Sequence, residues 1–267
     1  MVEQRNIATL HGARRIWTIG AIHGEAEKLN ALHDAITPRL AFGDRLVYLG
    51  NYLGYGSAQF ETIAELLRFR RVFLSIPPYV DAGDVVFLRG AQEEMWQKLL
   101  QLQFSVRPAE ILEWMLARGV GATLSAYGGR PVDGFRRAAE GTVALTSWTS
   151  ELRSAMRAAP GHDVLLSGLK RAAISHEKGV LFVSSGLDTT QSLADQADSF
   201  WWAGRSFARI DSPYESFRRI VRGYDPDHHG FFETLDTLTV DGGCGFGGTL
   251  AAVCISPDGE VSERVEI

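Results

Sequence analysis

Short apolar runs that stop at a glycine and give way to helical periodicity recur through the first hundred residues. Ile16-Trp17-Thr18-Ile19 ends at Gly20, and Leu29, Leu32 and Ile36 then follow at helical spacing between Glu25 and Pro38. Arg45-Leu46-Val47-Tyr48-Leu49 repeats the pattern, with a loop from Gly50 to Gly56 and a helix carrying Ile63, Leu66 and Leu67. Asp84-Val85-Val86-Phe87-Leu88 repeats it again, ending at Gly90 before a helix with Met95, Trp96, Leu99 and Leu100. Three such units predict a mainly parallel sheet. The stretch 108–159 is helical in pattern, interrupted by a loop at Gly128-Gly129-Arg130-Pro131, with Trp114, Met115, Leu145 and Trp148 as expected core. Val180-Leu181-Phe182-Val183, Leu238-Thr239-Val240 and Leu250-Ala251-Ala252-Val253-Cys254-Ile255 predict further strands. The last two are joined by a glycine-rich stretch, and a turn at Ser256–Glu260 leads into a short terminal strand. The expected architecture is a single α/β domain with a helical insertion at 108–159.

Composition narrows the function classes. With 267 residues, 45% of them apolar, the chain can bury a sizeable core. Its net charge of −5 is spread in both signs, so no basic stripe offers the phosphate neutralisation that nucleic-acid binding needs. Two cysteines, Cys244 and Cys254, without CxxC spacing, exclude a disulfide framework and a thiolate zinc site and fit a reducing cytoplasm. There is no apolar leader at residues 1–6 and no run of the roughly 18 apolar residues that a bilayer span requires. The expectation is a cytoplasmic protein that is not inserted in a membrane.

In an open α/β sheet, chemistry sits on the loops beyond the carboxyl ends of the strands. Here those loops read Gly20-Ala21-Ile22-His23-Gly24, Gly50-Asn51-Tyr52-Leu53-Gly54-Tyr55-Gly56 and Leu88-Arg89-Gly90-Ala91-Gln92-Glu93. In order and spacing they resemble the GDxHG, GDxxDRG and GNHE blocks of the serine/threonine protein phosphatases in the calcineurin-like metallophosphoesterase superfamily. Phe182-Val183-Ser184-Ser185-Gly186-Leu187-Asp188 is similar to that family's "VHAGL" block, and Ile220-Val221-Arg222-Gly223-Tyr224-Asp225-Pro226 to its "GHT" block. The resemblance covers most of the chain outside the insertion. It implies a sandwich of mixed β-sheets flanked by helices.

For activity the same blocks point the other way. The family's reaction, as the resemblance implies it, uses two metal ions bridged by a hydroxide that attacks a phosphomonoester in line. Ala21 stands at a ligand aspartate, Asn51 at the bridging aspartate, and Gly54 and Tyr55 at an aspartate and a phosphate-binding arginine. Ala91 stands at a ligand asparagine, Gln92 at the histidine that protonates the leaving group, and Ser184 and Tyr224 at the last two ligand histidines. Of the six ligand positions only His23 is retained, and Asn51 offers at best a neutral amide oxygen. Two divalent ions held without carboxylates repel by roughly 4 kcal/mol per unit pair at about 4 Å, even at an effective dielectric of about 20. Losing the general acid would separately remove about 10² to 10⁴-fold in rate.

The expectation is therefore a catalytically impaired phosphatase homologue without a cofactor, acting by binding a phosphorylated or regulatory protein. Its vestigial pocket would comprise His23, Asn51, Tyr55, Gln92, Glu93, Ser184 and Tyr224, with the two tyrosine rings filling the former metal cavity. Arg89 and Arg222, each directly before a glycine of a matched block, are candidates to face that pocket and hold an anion. The alternative is an active phosphoesterase dependent on manganese or another divalent metal. Its ligands would be relocated to Glu93, Asp188, Asp225 or Asp241, with His23 and Asn51 retained as metal candidates. A third is a structural subunit with an empty pocket.

Plainer readings stand beside these. His23 alone is a hydrogen-bonded loop residue more often than a ligand. His228-His229 has carboxylates nearby, but adjacent histidines in a Pro/Gly-rich stretch are usually solvated. The stretch Asp241–Gly248 lacks the helix and lysine of a P-loop and reads as a glycine-rich connection. Cys244 has no adjacent base to activate it. Phe200, Trp201, Trp202 and Phe207 read as core, and the arginines at 68, 70, 71, 218 and 219 as a solvated face.

Overall fold

The computed structural model describes residues 6–76, 81–176 and 179–267. In chain order the elements are β1 (Ile7–Leu10), β2 (Arg15–Ile19), α1 (Ala26–Ile36), β3 (Asp44–Tyr48), α2 (Gln59–Leu74), β4 (Val85–Phe87) and α3 (Ala91–Leu99). The insertion follows as α4 (Pro108–Leu116), α5 (Val120–Ala126), α6 (Pro131–Glu140) and α7 (Thr142–Ala158). Then come α8 (His162–Ser167), β5 (Ala172–Ser175), β6 (Val180–Val183), α9 (Ser199–Trp202), α10 (Gly204–Phe207) and β7 (Arg219–Arg222). The chain closes with β8 (Phe232–Glu233), β9 (Thr237–Thr239), β10 (Ala251–Ile255) and β11 (Val261–Glu266).

The strands form two sheets, ordered β1-β5-β6-β7-β9-β8 and β11-β10-β2-β3-β4. Within the second, β2, β3 and β4 are parallel, as the repeated strand-glycine-helix units predict. The sheet is nevertheless mixed, because β10 runs antiparallel to both β2 and β11.

Strand periodicity explains how the layers stack. Alternate residues of a strand face opposite sides. Ile16, Val47, Leu49 and Val86 of one sheet meet Phe182, Val221 and Leu238 of the other in a core between the sheets. Their neighbours Trp17, Ile19, Leu46 and Tyr48 point outward under α1, α2 and α3, while Leu181, Val183 and Ile220 face Phe200, Trp201 and Phe207. Strands covered on both faces read as unbroken apolar runs, which is why they stand out in the sequence. The insertion joins the core beneath α3 through Leu112, Met115, Leu145 and Trp148.

Three expectations are corrected here. Trp114 is not core: it is 41% exposed, edge-on to Trp202 at 5.6 Å with the Arg118 guanidinium 4.2 Å over its ring. One face of α4 is spent on Leu112 and Met115, so Trp114 falls on the other. Likewise Trp202 is 41% exposed, although Phe200, Trp201 and Phe207 are buried. The loop at Gly128–Arg130 is shorter than expected, because Pro131, whose fixed φ suits a first helical turn, opens α6. Cys244 and Cys254 are buried free thiols, and no helix among the described residues is long and apolar enough to cross a membrane.

Candidate functional site

The loops after β2, β3, β4, β6, β7 and β9 are laced together by backbone hydrogen bonds at one end of the sandwich. Ile22 and His23 N–H both donate to Asn51 O (3.0 and 2.8 Å), Ala21 N–H to Gly223 O (2.9 Å), and Gly223 and Tyr224 N–H to Ser184 O (3.0 Å each). Two glycines are required for this approach. A Cβ on Gly20 would lie 2.0 Å from Val240 O, and one on Gly90 would lie 2.3 Å from Asn51 N and 2.4 Å from its Oδ1. Three side chains at the centre, His23, Asn51 and Tyr55, adopt positive φ (54°, 58° and 57°). That conformation is strained for a residue as large as tyrosine, and such strain gathers at functional sites.

The structure brings together His23, Asn51, Tyr55, Gln92, Ser184 and Tyr224. His23 is fully buried, and its Nδ1 lies 3.2 Å from Leu53 O. A carbonyl only accepts, so Nδ1 carries the hydrogen and Nε2 presents a lone pair to the pocket. That Nε2 has no partner among the described residues. Burial holds the imidazole neutral, pushing its pKa down to about 4. Tyr55, Tyr224 and Phe246 surround it edge-on, with ring centroids 5.2, 5.4 and 5.3 Å away. Phe246 was not anticipated from the sequence, although it follows β9 in a glycine-rich loop at a strand end. Gly245 brings that loop against His23, leaving no room for a side chain.

Asn51 Oδ1 accepts from Gln92 N–H (3.0 Å), which fixes the amide orientation and leaves Nδ2 buried without a partner among the described residues. Gln92 Nε2 donates to Arg118 O (2.7 Å), leaving Oε1 unpartnered beside Gly54. Ser184 Oγ, buried beside Gly50, has no partner either. Four orphaned polar atoms thus belong to the matched blocks, and buried orphans of this kind cost about 1–3 kcal/mol each.

The carboxylates offered as relocated ligands, Glu93, Asp241, Asp225 and Asp188, are all engaged. Glu93 accepts backbone N–H bonds from Asn51, Tyr52, Leu53 and Gly90 at 2.8–3.1 Å, so it shapes the loop after β3. Burial pushes its carboxyl up and these four donors pull it partly back. Asp241 accepts from Asp225 N–H and Gly243 N–H (2.8 Å each) and lies 3.3 Å from His228 Nδ1. Asp225 pairs with Arg222 (3.2 Å) and His229 (2.9 Å). Asp188 is spent on Thr190 and Gln191 in its own loop.

Both arginines depart from expectation. Arg222 does not face the pocket with a free guanidinium: it donates to Thr239 Oγ1 and Gly204 O (2.9 Å each), pairs with Asp225 and lies over Phe207. Its strand position directs it between β9 and α10, where its charge is consumed. Arg89 pairs with Glu94 (3.0 Å) and lines a groove on the opposite side of α3. Cys244 Sγ donates to Ile22 O, and burial raises its pKa to about 12, far from a reactive thiolate.

These donors do not fit a pair of divalent ions. Asn51 presents a hydrogen-bond donor where a metal needs an oxygen, the pocket holds one imidazole lone pair, and no free carboxylate points into it. Among the described residues, the grouping with metal-ligand spacing is Asp225, Asp227 and His229, whose ligand atoms lie within 4.8 Å of one another.

No protein-family model matches the chain, and no curated protein matches it. Solved structures do. A candidate diadenosine tetraphosphatase superposes with a TM-score of 0.58 at 18% identity, covering 98% of this chain and 97% of that one. A protein serine/threonine phosphatase from Saccharomyces cerevisiae gives 0.55 at 11% identity, covering 98% and 84%. A cold-active protein tyrosine phosphatase gives 0.51 at 13% identity, covering 98% and 80%. Likeness at these identities concerns architecture, and it establishes that the chain has the metallophosphoesterase fold, two mixed sheets flanked by helices, on which these phosphatases are built.

Proposed function

We propose that this protein is a phosphatase homologue that has kept the strand-end loops and given up the metal chemistry, acting in the cytoplasm by binding a phosphorylated or regulatory protein. The observation that carries this reading is the Asn51 amide. At the position the resemblance assigns to a bridging carboxylate, a backbone N–H occupies the amide oxygen and leaves the NH2 group buried without a partner among the described residues. Around it, three aromatic rings pack on His23 where ions would need space. Tyr55, Trp114, Trp202 and Phe246 remain substantially exposed, and aromatic side chains of this kind are enriched where proteins bind one another.

A second reading is a metal-dependent phosphoesterase with relocated ligands, favoured by the grouping of Asp225, Asp227 and His229. The Arg222 guanidinium on Asp225 opposes a cation there. The two separate on turnover: p-nitrophenyl phosphate incubated with the protein and excess manganese is expected to release no phosphate above the uncatalysed rate. Manganese-dependent release that is lost in Asp225→Asn would overturn the binding reading. Capture of a phosphopeptide without its hydrolysis would identify the phosphorylated class of partner.

A further inference from the structure

We propose that the groove between α3, α7 and α8 binds a small anion with an apolar body, an aryl carboxylate or aryl phosphate. It encloses about 310 Å³, at the lower end of small-molecule pockets. Trp96, Leu100, Met156 and Leu166 give it an apolar floor, and Arg89, Arg153 and Arg157 stand around it.

Charge is unbalanced here. Arg89 uses one nitrogen on Glu94, and Arg153 donates to Leu100 O (2.6 Å). Arg157 makes no ion pair among the described residues. With Arg89 held by Glu94, the guanidinium groups of Arg153 and Arg157 stand against Asp163, the carboxylate on the rim. Glu93, which also borders the groove, directs its carboxyl across α3 to the backbone of residues 51–53.

Arg153 and Arg157 are four residues apart on α7, so they project from one face. Planar guanidinium groups match carboxylate and phosphate oxygens in a way that a point charge does not. Trp96 is 2% exposed and underlies the floor, so the apolar surface a ring can cover is mainly that of Leu166 with the edges of Leu100 and Met156, while the head group meets the arginines. The site lies across α3 from His23, and the proposal stands whether or not the pocket around His23 is catalytically silent.

Calorimetric titration with phenylphosphonate, whose carbon–phosphorus bond a phosphatase does not hydrolyse, and with benzoate tests this, with inorganic phosphate for comparison. Saturable binding of at least one aryl anion is expected, tighter than that of inorganic phosphate. Arg157→Glu reverses an exposed charge, and Ser167→Trp fills the groove from its rim. Each is expected to weaken binding at least about tenfold at an unchanged melting temperature. The tighter of the two anions identifies the head group. No saturation by either up to about 10 mM, or affinity undiminished in both variants, would overturn the proposal.

Discussion

On the side of the site supplied by β2, β3 and β4, the polar side chains His23, Asn51 and Gln92 each leave one buried atom without a partner. On the side supplied by β7 and β9, Arg222, Asp225 and Asp241 meet one another and their own backbone. The first side leaves buried polar atoms unpartnered around His23. The second has charges, and they hold the fold. The difference shows that ionisable residues near a candidate site are poor evidence of activity until their partners are counted.

Glu93 offers the strongest way to break this comparison, because it sits on the first side yet is structural. Glu93→Ala strands four buried N–H groups, and the expected cost is about 5 kcal/mol or more, read as a collapse of the urea midpoint. A loss below about 1 kcal/mol would mean that the loop after β3 holds itself. On the second side, Arg222→Met removes a buried cation from Asp225, Thr239 and Gly204. About 3–5 kcal/mol should be lost, as for other broken buried pairs.

His23 gives a pH test. Its folded-state pKa, about 4, lies below the unfolded value of 6.5. Between these values the unfolded chain binds the extra proton, so the contribution is fully present above pH 6.5 and is lost as pH falls toward about 4. The loss is on the order of 3 kcal/mol, and His23→Asn, a residue tolerant of positive φ, should flatten that part of the stability curve. The smallest effect is expected from Phe246→Ser. This half-exposed ring contributes about 1 kcal/mol or less, but removing it admits water, and the His23 imidazole should then titrate closer to 6.5 by NMR.

Much of the fold is legible in the sequence because strands buried on both faces leave continuous apolar runs, as at Leu46–Leu49 and Val180–Val183. The edge strands β1 and β8 and the four-residue β5 leave no such run, and they pass unnoticed. The antiparallel placement of β10 depends on which sheet its neighbours occupy, information that periodicity does not carry. The site is legible where backbone geometry demands glycine, at Gly20, Gly50 and Gly90. It is not legible where partners decide: Arg222 reads as a free cation until Thr239, Gly204 and Asp225 close on it. Arg89 reads as pocket-facing until its pairing with Glu94 places it in the groove beside α3.

Calorimetric titration of metal-stripped protein with manganese, at concentrations that detect micromolar binding, tests the central claim most directly. The account predicts no tight site, because the one imidazole lone pair at His23 and the inverted amide of Asn51 cannot hold two ions. Two tight sites, lost together in His23→Asn, would contradict it and make the protein a metal-dependent hydrolase.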